Sequence, residues 1–405
     1  MGKVLVMVKI ISRDYYIKKI SPFIGKNLIK VIIGQRRVGK SYFLLQLVNL
    51  FKEDNDVNII YINKESVKFK EIKNYIDLLQ YIEKNVIMNK DNKIFIDEIQ
   101  DINDFEKALR SLQADEEYDI YCSGSNADLL SGELATFLSG RYIEITIYPL
   151  SYNEFLHFFD LSDNNETYNK YIKYGGHPYL IHLELTDEVV FDYINNIYST
   201  ILLKDIVTRY SVRNIYFLEN LVSFIADNIG SLVSAKKISD YLKSQDIKIS
   251  TNVVLNYLTF LTNAFLVNRV KRENVEGKKI FEIGEKYYFN DIGLRNSISG
   301  YKVQDKAKIL ENVVYNHLIS HGYKVTVGKL KDREIDFICK KNNEETYIQV
   351  AYKLDDESTI NREYGNLLRI KNNYPKIVVS TDDFEGNTFK GITHFNIRKF
   401  LSEFE

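Results

Sequence analysis

Residues 29–41 read IKVIIGQRRVGKS, an apolar run that stops at a glycine and restarts as a helix. IKVII has no polar alternation, as expected of a strand covered on both faces. Gly34-Gln35-Arg36-Arg37-Val38-Gly39-Lys40-Ser41 fits the phosphate-loop pattern, a glycine, four free positions, then Gly-Lys-Ser. The two glycines let backbone N–H groups close around an anion. Lys40 neutralises phosphate charge and Ser41 ligates Mg²⁺. The helix that begins there, with Tyr42 in its first turn, aims its positive end at the ligand. The whole loop, Gly34 through Tyr42, is therefore the candidate ATP-binding segment. Arg36 and Arg37 have no single assignment by sequence: phosphate, DNA and a neighbouring subunit all remain open.

Outward from that loop the apolar periods switch between strand and helix. Residues 41–52 predict a helix, 57–62 a strand, 71–88 a helix, 93–97 a strand, 104–114 a helix, 119–125 a strand and 143–150 a closing strand. Alternation of this kind predicts a parallel α/β sheet covered by helices. KIFIDEIQDI at 93–102 delivers two carboxylates at a strand end, where such sheets bind ligands. Asp97 is the candidate Mg²⁺ ligand, and Glu98 the base for an attacking water. Ser125 and Asn126, at the end of the next strand, are candidates to touch the γ-phosphate or that water. Arg141, just before the closing strand, is a candidate for the cation of phosphoryl transfer, within the subunit or across an interface.

The chain has 405 residues, with 54 Lys and Arg against 55 Asp and Glu, and a net charge of −1. Such a balance excludes general electrostatic attraction to nucleic acid or anionic membrane and leaves room for a local basic patch. Two cysteines exclude a disulfide scaffold and suit a reducing, cytoplasmic setting. No apolar run of about 20 residues occurs, so no membrane partner is expected. With 45% hydrophobic residues the chain can bury several cores, and 4 Pro and 19 Gly leave little material for linkers.

The pattern predicts four domains: 1–150 the P-loop core, 151–209 a helical lid, 210–300 three helices and a β-hairpin of winged-helix type, and 301–405 a further α/β unit. Residues 231–290 hold 10 Lys and Arg against 6 Asp and Glu. Lys248, Arg269, Lys271, Arg272, Lys278 and Lys279 fall near the expected recognition helix and wing. A local basic face of this sort predicts DNA contact, with an interdomain or protein contact as the alternative.

IIGQRRVGKS (32–41), IFIDEIQD (94–101) and SGSNADLLSGELATFLSGRYIEITIYPLSYNEF (123–155) resemble a prokaryotic AAA-type ATPase family. Members of that family carry a C-terminal domain of unknown function related to restriction-nuclease folds. EIDFICKKNNEETYIQVAYKL (334–354) and NYPKIVVSTDD (373–383) are similar to that domain. The resemblance implies an ATPase core using ATP and Mg²⁺, with Arg141 in the catalytic set. For the tail it implies a nuclease-like site of Glu311, Asp336, Gln349 and Lys353. Gln349 is a neutral residue where a Glu is expected, and Ala351 stands where a Lys is expected, so Lys353 is the substitute considered; the lost metal charge favours a degenerate binding module over an active nuclease. Three functions follow: an ATP-driven switch acting on DNA, on a protein partner or within a homo-oligomer; an ATP-regulated nuclease; and a nucleotide-gated DNA-binding regulator with little turnover.

Overall fold

A computed structural model describes residues 10–127, 138, 140–244, 247–275, 284–354, 357–383 and 388–405. Most of the GELATFLSGR segment and the two wing lysines, Lys278 and Lys279, lie outside these residues. The chain forms two compact units, Met1–Ile147 and Tyr148–Glu405.

The first unit runs α1 (Asp14–Ile20), β1 (Ile29–Ile33), α2 (Lys40–Phe51), β2 (Val57–Asn63), α3 (Tyr75–Asn85), β3 (Asp91–Asp97), α4 (Phe105–Ala114), β4 (Tyr118–Gly124) and β5 (Tyr142–Thr146). The sheet order is β2-β3-β4-β1-β5, and every pair is parallel. All five residues of β1 are buried, Lys30 among its four apolar neighbours. Two boundaries move by four residues from the periodicity, the largest shifts in this unit. Helix α3 starts at Tyr75 rather than 71, because the Asn74 side chain caps it and Asp77 returns the bond to the Asn74 backbone. Strand β5 stops at Thr146, short of Pro149, which cannot donate to a ladder.

One feature of this sheet is not apolar. Lys30 lies inside β1 with its ammonium 2.5 Å from Asp119 of β4, and Lys93 of β3 lies 2.9 Å from the same carboxylate. All three side chains are at most 4% exposed. Burial pushes the Asp119 carboxyl up, but the hydrogen bonds and charges of Lys30 and Lys93 outweigh it and hold it below its ordinary value. Burial likewise draws Lys30 down against the pull of Asp119.

The second unit contains α5 (Tyr152–Phe159), α6 (Asn165–Tyr174), α7 (Asp187–Thr200) continuing as a π-helix over Ile201–Thr208, α8 (Ile215–Asp227), α9 (Ala235–Ser244), α10 (Thr251–Asn263), β6 (Val267–Val270), β7 (Arg272–Asn274), β8 (Lys286–Phe289), α11 (Ile292–Ser299), α12 (Lys306–Ser320), β9 (Lys324–Leu330), β10 (Arg333–Lys341), β11 (Glu344–Val350), α13 (Glu357–Leu368), β12 (Lys376–Ser380), β13 (Thr388–Phe389), β14 (Ile392–Asn396) and α14 (Ile397–Glu403). The three helices and antiparallel pair predicted for 210–300 are α8, α9, α10 and β6–β8. Strand β7 leaves that pair and joins the edge of a seven-stranded sheet, ordered β13-β14-β12-β11-β10-β9-β7. One hydrophobic core runs from Tyr152 to Leu401. The stretches that the sequence divides into lid, winged helix and tail thus share their interior. A fully buried Arg295 helps to close it, donating to the Ala226 and Gly300 carbonyls and to Asp305. Among the described residues no helix is long and apolar enough to cross a membrane.

Replacing Asp119 with Asn removes the carboxylate partner of buried Lys30 and leaves Lys93 only the half-exposed Asp91, 2.7 Å away. The unfolding free energy in urea is expected to fall by about 3–5 kcal/mol. In the native protein this contribution is full above the unfolded carboxyl's pKa, near ~4, and is lost as pH falls through the lower folded value. A urea midpoint unchanged in Asp119→Asn would show that the cluster is not stabilising.

Candidate functional site

Strands β3, β4 and β1 are neighbours and run the same way, so their C-terminal ends lie side by side. Ile33 pairs with Gly124, and Ile96 with Cys122. This register sets three segments next to one another: Gly34–Ser41 after β1, Asp97-Glu98 at the end of β3, and Ser123–Asn126 at the end of β4.

The loop after β1 takes its shape from left-handed backbone at Arg37 (φ 69°) and Gly39 (φ 97°) and from Gly34 at φ 150°. A Cβ on Gly34 would lie 2.2 Å from the Ile147 carbonyl oxygen, so close passage of the chain after β5 demands glycine there. Lys40 is buried, and its ammonium donates to the Gly34 and Gln35 carbonyls at 3.0 Å each. The lysine is folded back over its own loop. Gln35, Arg36 and Val38 are buried, and Arg36 lies 3.8 Å from Glu65. Arg37 is exposed and Tyr42 is half exposed, so their side chains face away from the loop's interior. Arg13 was not a candidate from the sequence. It is buried, donates to the Val38 carbonyl at 3.2 Å and stacks over Tyr16, bracing the loop from outside.

Asp97 is fully buried at the last position of β3. The Ser123 hydroxyl donates to its Oδ1, while Oδ2 takes no hydrogen bond from the described residues. Burial raises the Asp97 pKa, and the Ser123 and Ser41 hydroxyls and Lys40 oppose the rise. A carboxylate with one unused buried oxygen beside a P-loop serine fits a divalent cation, whose charge would keep it ionised. Glu98 is buried, with φ 56° and ψ 55°, a left-handed conformation that costs a non-glycine residue about 1–2 kcal/mol. Its backbone N–H donates to the Ser123 hydroxyl at 3.2 Å, and the Gln100 side chain donates to its carboxylate. One serine therefore orients both acidic residues, and Gln100 aims the second. Both residues lie within the quoted motifs, but their roles depend on the strand register. Ser125 and Asn126 are buried, and the Ser125 Oγ has no partner among the described residues.

Arg141 falls elsewhere. Its carbonyl accepts from the Ile29 N–H, and Tyr142 pairs with Ile29, at the N-terminal end of β1. Five strand residues separate that level from the loop, about 16 Å at ~3.3 Å per residue. The within-subunit role considered for Arg141 is corrected accordingly: the length of β1 stands between it and its own phosphate loop.

The nuclease-like residues lie in the second unit. Glu311 comes from α12, and Glu334 and Asp336 from β10. Gln349 accepts from the Asp336 backbone N–H at 3.3 Å, and Asp336 accepts from the Val350 N–H at 2.8 Å. Burial, then Glu311, raise the Asp336 pKa well above its ordinary value, and Lys286 opposes them. Strand β11 ends at Val350, so the alternation that put Lys353 on the face of Ala351 does not reach it; Lys353 is exposed while Ala351 is buried. The cation that meets all three carboxylates is one that no motif marks. Lys286 of β8, 2% exposed, lies 2.8 Å from Glu311, 2.8 Å from Glu334 and 4.0 Å from Asp336.

The basic face is smaller than its sequence count. Arg269 makes two 2.6 Å hydrogen bonds to Glu285, and Arg272, on the sheet edge, lies 3.8 Å from Glu334. Lys248 and Lys271 are exposed.

Residues 26–156 match the model of an AAA domain, and residues 165–305 match that of a domain of unknown function, DUF8612. An uncharacterized protein of Haemophilus influenzae is 39% identical over 390 residues, covering 94% of this chain and 96% of its own. Uncharacterized protein MJ1544 of Methanocaldococcus jannaschii is 34% identical over 368 residues, covering 86% of this chain and 79% of its own. Among solved structures, the Aeropyrum pernix ORC1 protein in complex with DNA is similar at 12% identity and a TM-score of 0.35, over 73% of this chain and 94% of that one. AMPPCP-bound DnaA from Aquifex aeolicus is similar at 15% identity and a TM-score of 0.31, over 62% and 87%.

The backbone at Glu98 generates a stability test. Glycine adopts φ 56° without strain, so Glu98→Gly is expected to be more stable than Glu98→Ala by about 1 kcal/mol in urea unfolding, reversing the usual order. Gly34→Ala is expected to lose more than about 1 kcal/mol, because its Cβ meets backbone rather than a movable side chain.

Proposed function

The chain belongs to a family of AAA-type P-loop ATPases, and from that premise we propose that it binds and hydrolyses ATP with Mg²⁺, using the two nucleotide states as a switch on DNA or a protein partner. The observation that carries this reading is the meeting of Lys40, Ser41, Asp97, Glu98, Ser125 and Asn126 at the ends of three adjacent parallel strands. Loop N–H groups would hold the phosphates, and Lys40 would exchange the two carbonyls it now contacts for phosphate oxygens. Ser41 and Asp97 would hold Mg²⁺, which supplies charge neutralisation to the phosphates. Glu98, aimed by Gln100, would accept the proton of the attacking water. Ser125 and Asn126 would orient that water or the γ-phosphate.

Arg141 enters the proposal as a group acting on a neighbouring copy, because its end of β1 is the end away from its own loop. Active turnover would then require a homo-oligomer. DNA is a second target reading, favoured by exposed Lys248 and Lys271 and reduced by the commitment of Arg269 to Glu285.

In a phosphate-release assay, Glu98→Gln is expected to lower turnover about 10²–10³-fold while ATP binding persists. Lys40→Ala is expected to lose ATP binding itself. Absence of ATP turnover in the wild type, with and without DNA, would sink the proposal. If Arg141 acts across an interface, mixing inactive Arg141→Ala with inactive Glu98→Gln protein is expected to recover part of the activity. A mixture as dead as its components would remove that role.

A further inference from the structure

The fold suggested by the tail uses a divalent cation between carboxylates, and the residues of this chain do not fit one. Among the described residues no group of three His, Cys, Asp or Glu converges as a ligand set. The third motif supplies Gln349, whose side-chain oxygen is engaged by the Asp336 N–H. The space between Glu311, Glu334 and Asp336 holds the Lys286 ammonium, which is 2% exposed.

We propose that Lys286 is the resident cation of this carboxylate group, standing where a nuclease would hold its metal, so that the C-terminal sheet binds no catalytic divalent ion. Three features beyond the acidic cluster carry this. First, the lysine is built in: it sits on β8 opposite Val270, and the Tyr288 hydroxyl two residues on, from the same face, donates to Glu311. Second, the remaining oxygen of the cluster nearest solvent is also matched, since Arg272 lies 3.8 Å from Glu334 Oε2. Lys286 thus faces all three acids and Arg272 faces Glu334, offsetting part of the charge that these acids and the nearby Glu363 would present to Mg²⁺. Third, the surroundings are closed. Gly230, at φ 69°, would place a Cβ 3.0 Å from the Glu311 carboxylate, so the loop between α8 and α9 packs directly on it.

The consequence is a change of role for an inherited geometry. In a metal site the carboxylates gather around an ion from solvent. Here the ion is delivered by a strand of the neighbouring β6–β8 pair, so the same carboxylates join that pair to α12 and β10. A buried charge in such a setting is stable only with its partners in place. The site is therefore a permanent internal clamp rather than a centre that loads and releases metal, and cutting of nucleic acid is not among its activities.

The test uses the full chain without nucleotide and Mn²⁺ as the probe, with bound ion counted by electron paramagnetic resonance. Wild type and Asp336→Asn are expected to bind the same number of Mn²⁺ ions. One fewer ion in Asp336→Asn would overturn the proposal, as would Mn²⁺-dependent plasmid cutting by the wild type that Asp336→Asn abolishes. Neither measurement depends on a variant at Lys286. In Lys286→Met the melting temperature is expected to fall by about 10 °C, with part of the loss restored by millimolar Mn²⁺. An unchanged melting temperature would also overturn it, because a clamp cannot be removed without effect.

Discussion

The register of β4 between β1 and β3 is the constraint on which the proposed nucleotide site depends. Gly124 stands opposite Ile33, and Cys122 opposite Ile96. At this register the Ser123 side chain meets Asp97 and its hydroxyl also receives the Glu98 N–H. A slip of one residue would turn Ser123 to the other face of the sheet and leave the Asp97 carboxylate buried without that donor. The opposite end of the same strands carries the second fixed point, Asp119 between Lys30 and Lys93. A polar contact at each end thus pins strands β3, β4 and β1, whose middles are largely apolar.

Two non-glycine residues of the proposed site carry left-handed backbone. Glu98 holds left-handed backbone immediately after a buried strand, and Arg37 does so within the phosphate loop. Neither is glycine, so local preference opposes the observed conformation at both. Packing and hydrogen bonding around them impose it, and the effect at Glu98 is to present a carboxylate that regular strand or helix geometry would direct elsewhere.

The two units treat buried lysine in related ways. Lys30 and Lys93 share one carboxylate, whereas Lys286 is shared by several. In each case an ammonium removed from water is retained only because acids from other strands or helices surround it. Local sequence gives no warning of this. Lys286 lies in a stretch with 10 Lys and Arg against 6 Asp and Glu and looks like one more surface charge; Arg269 and Arg272 look the same and prove to be paired with Glu285 and Glu334.

By itself the sequence determined the parallel α/β core, the phosphate loop and the acidic strand end. Those features are written in contiguous residues: a mostly apolar run, glycines at fixed spacing, and a strand that ends at Asp and is followed by Glu. The three helices and β pair of the middle were legible for the same reason. Tertiary structure alone decided which residues act together across distance. It put Ser123 on Asp97, braced the loop with Arg13, set Arg141 at the far end of β1, and brought Lys286 of β8 to acids 25, 48 and 50 positions away. Such partnerships depend on strand order and register, which are fixed by packing between segments rather than by the preference of any one of them.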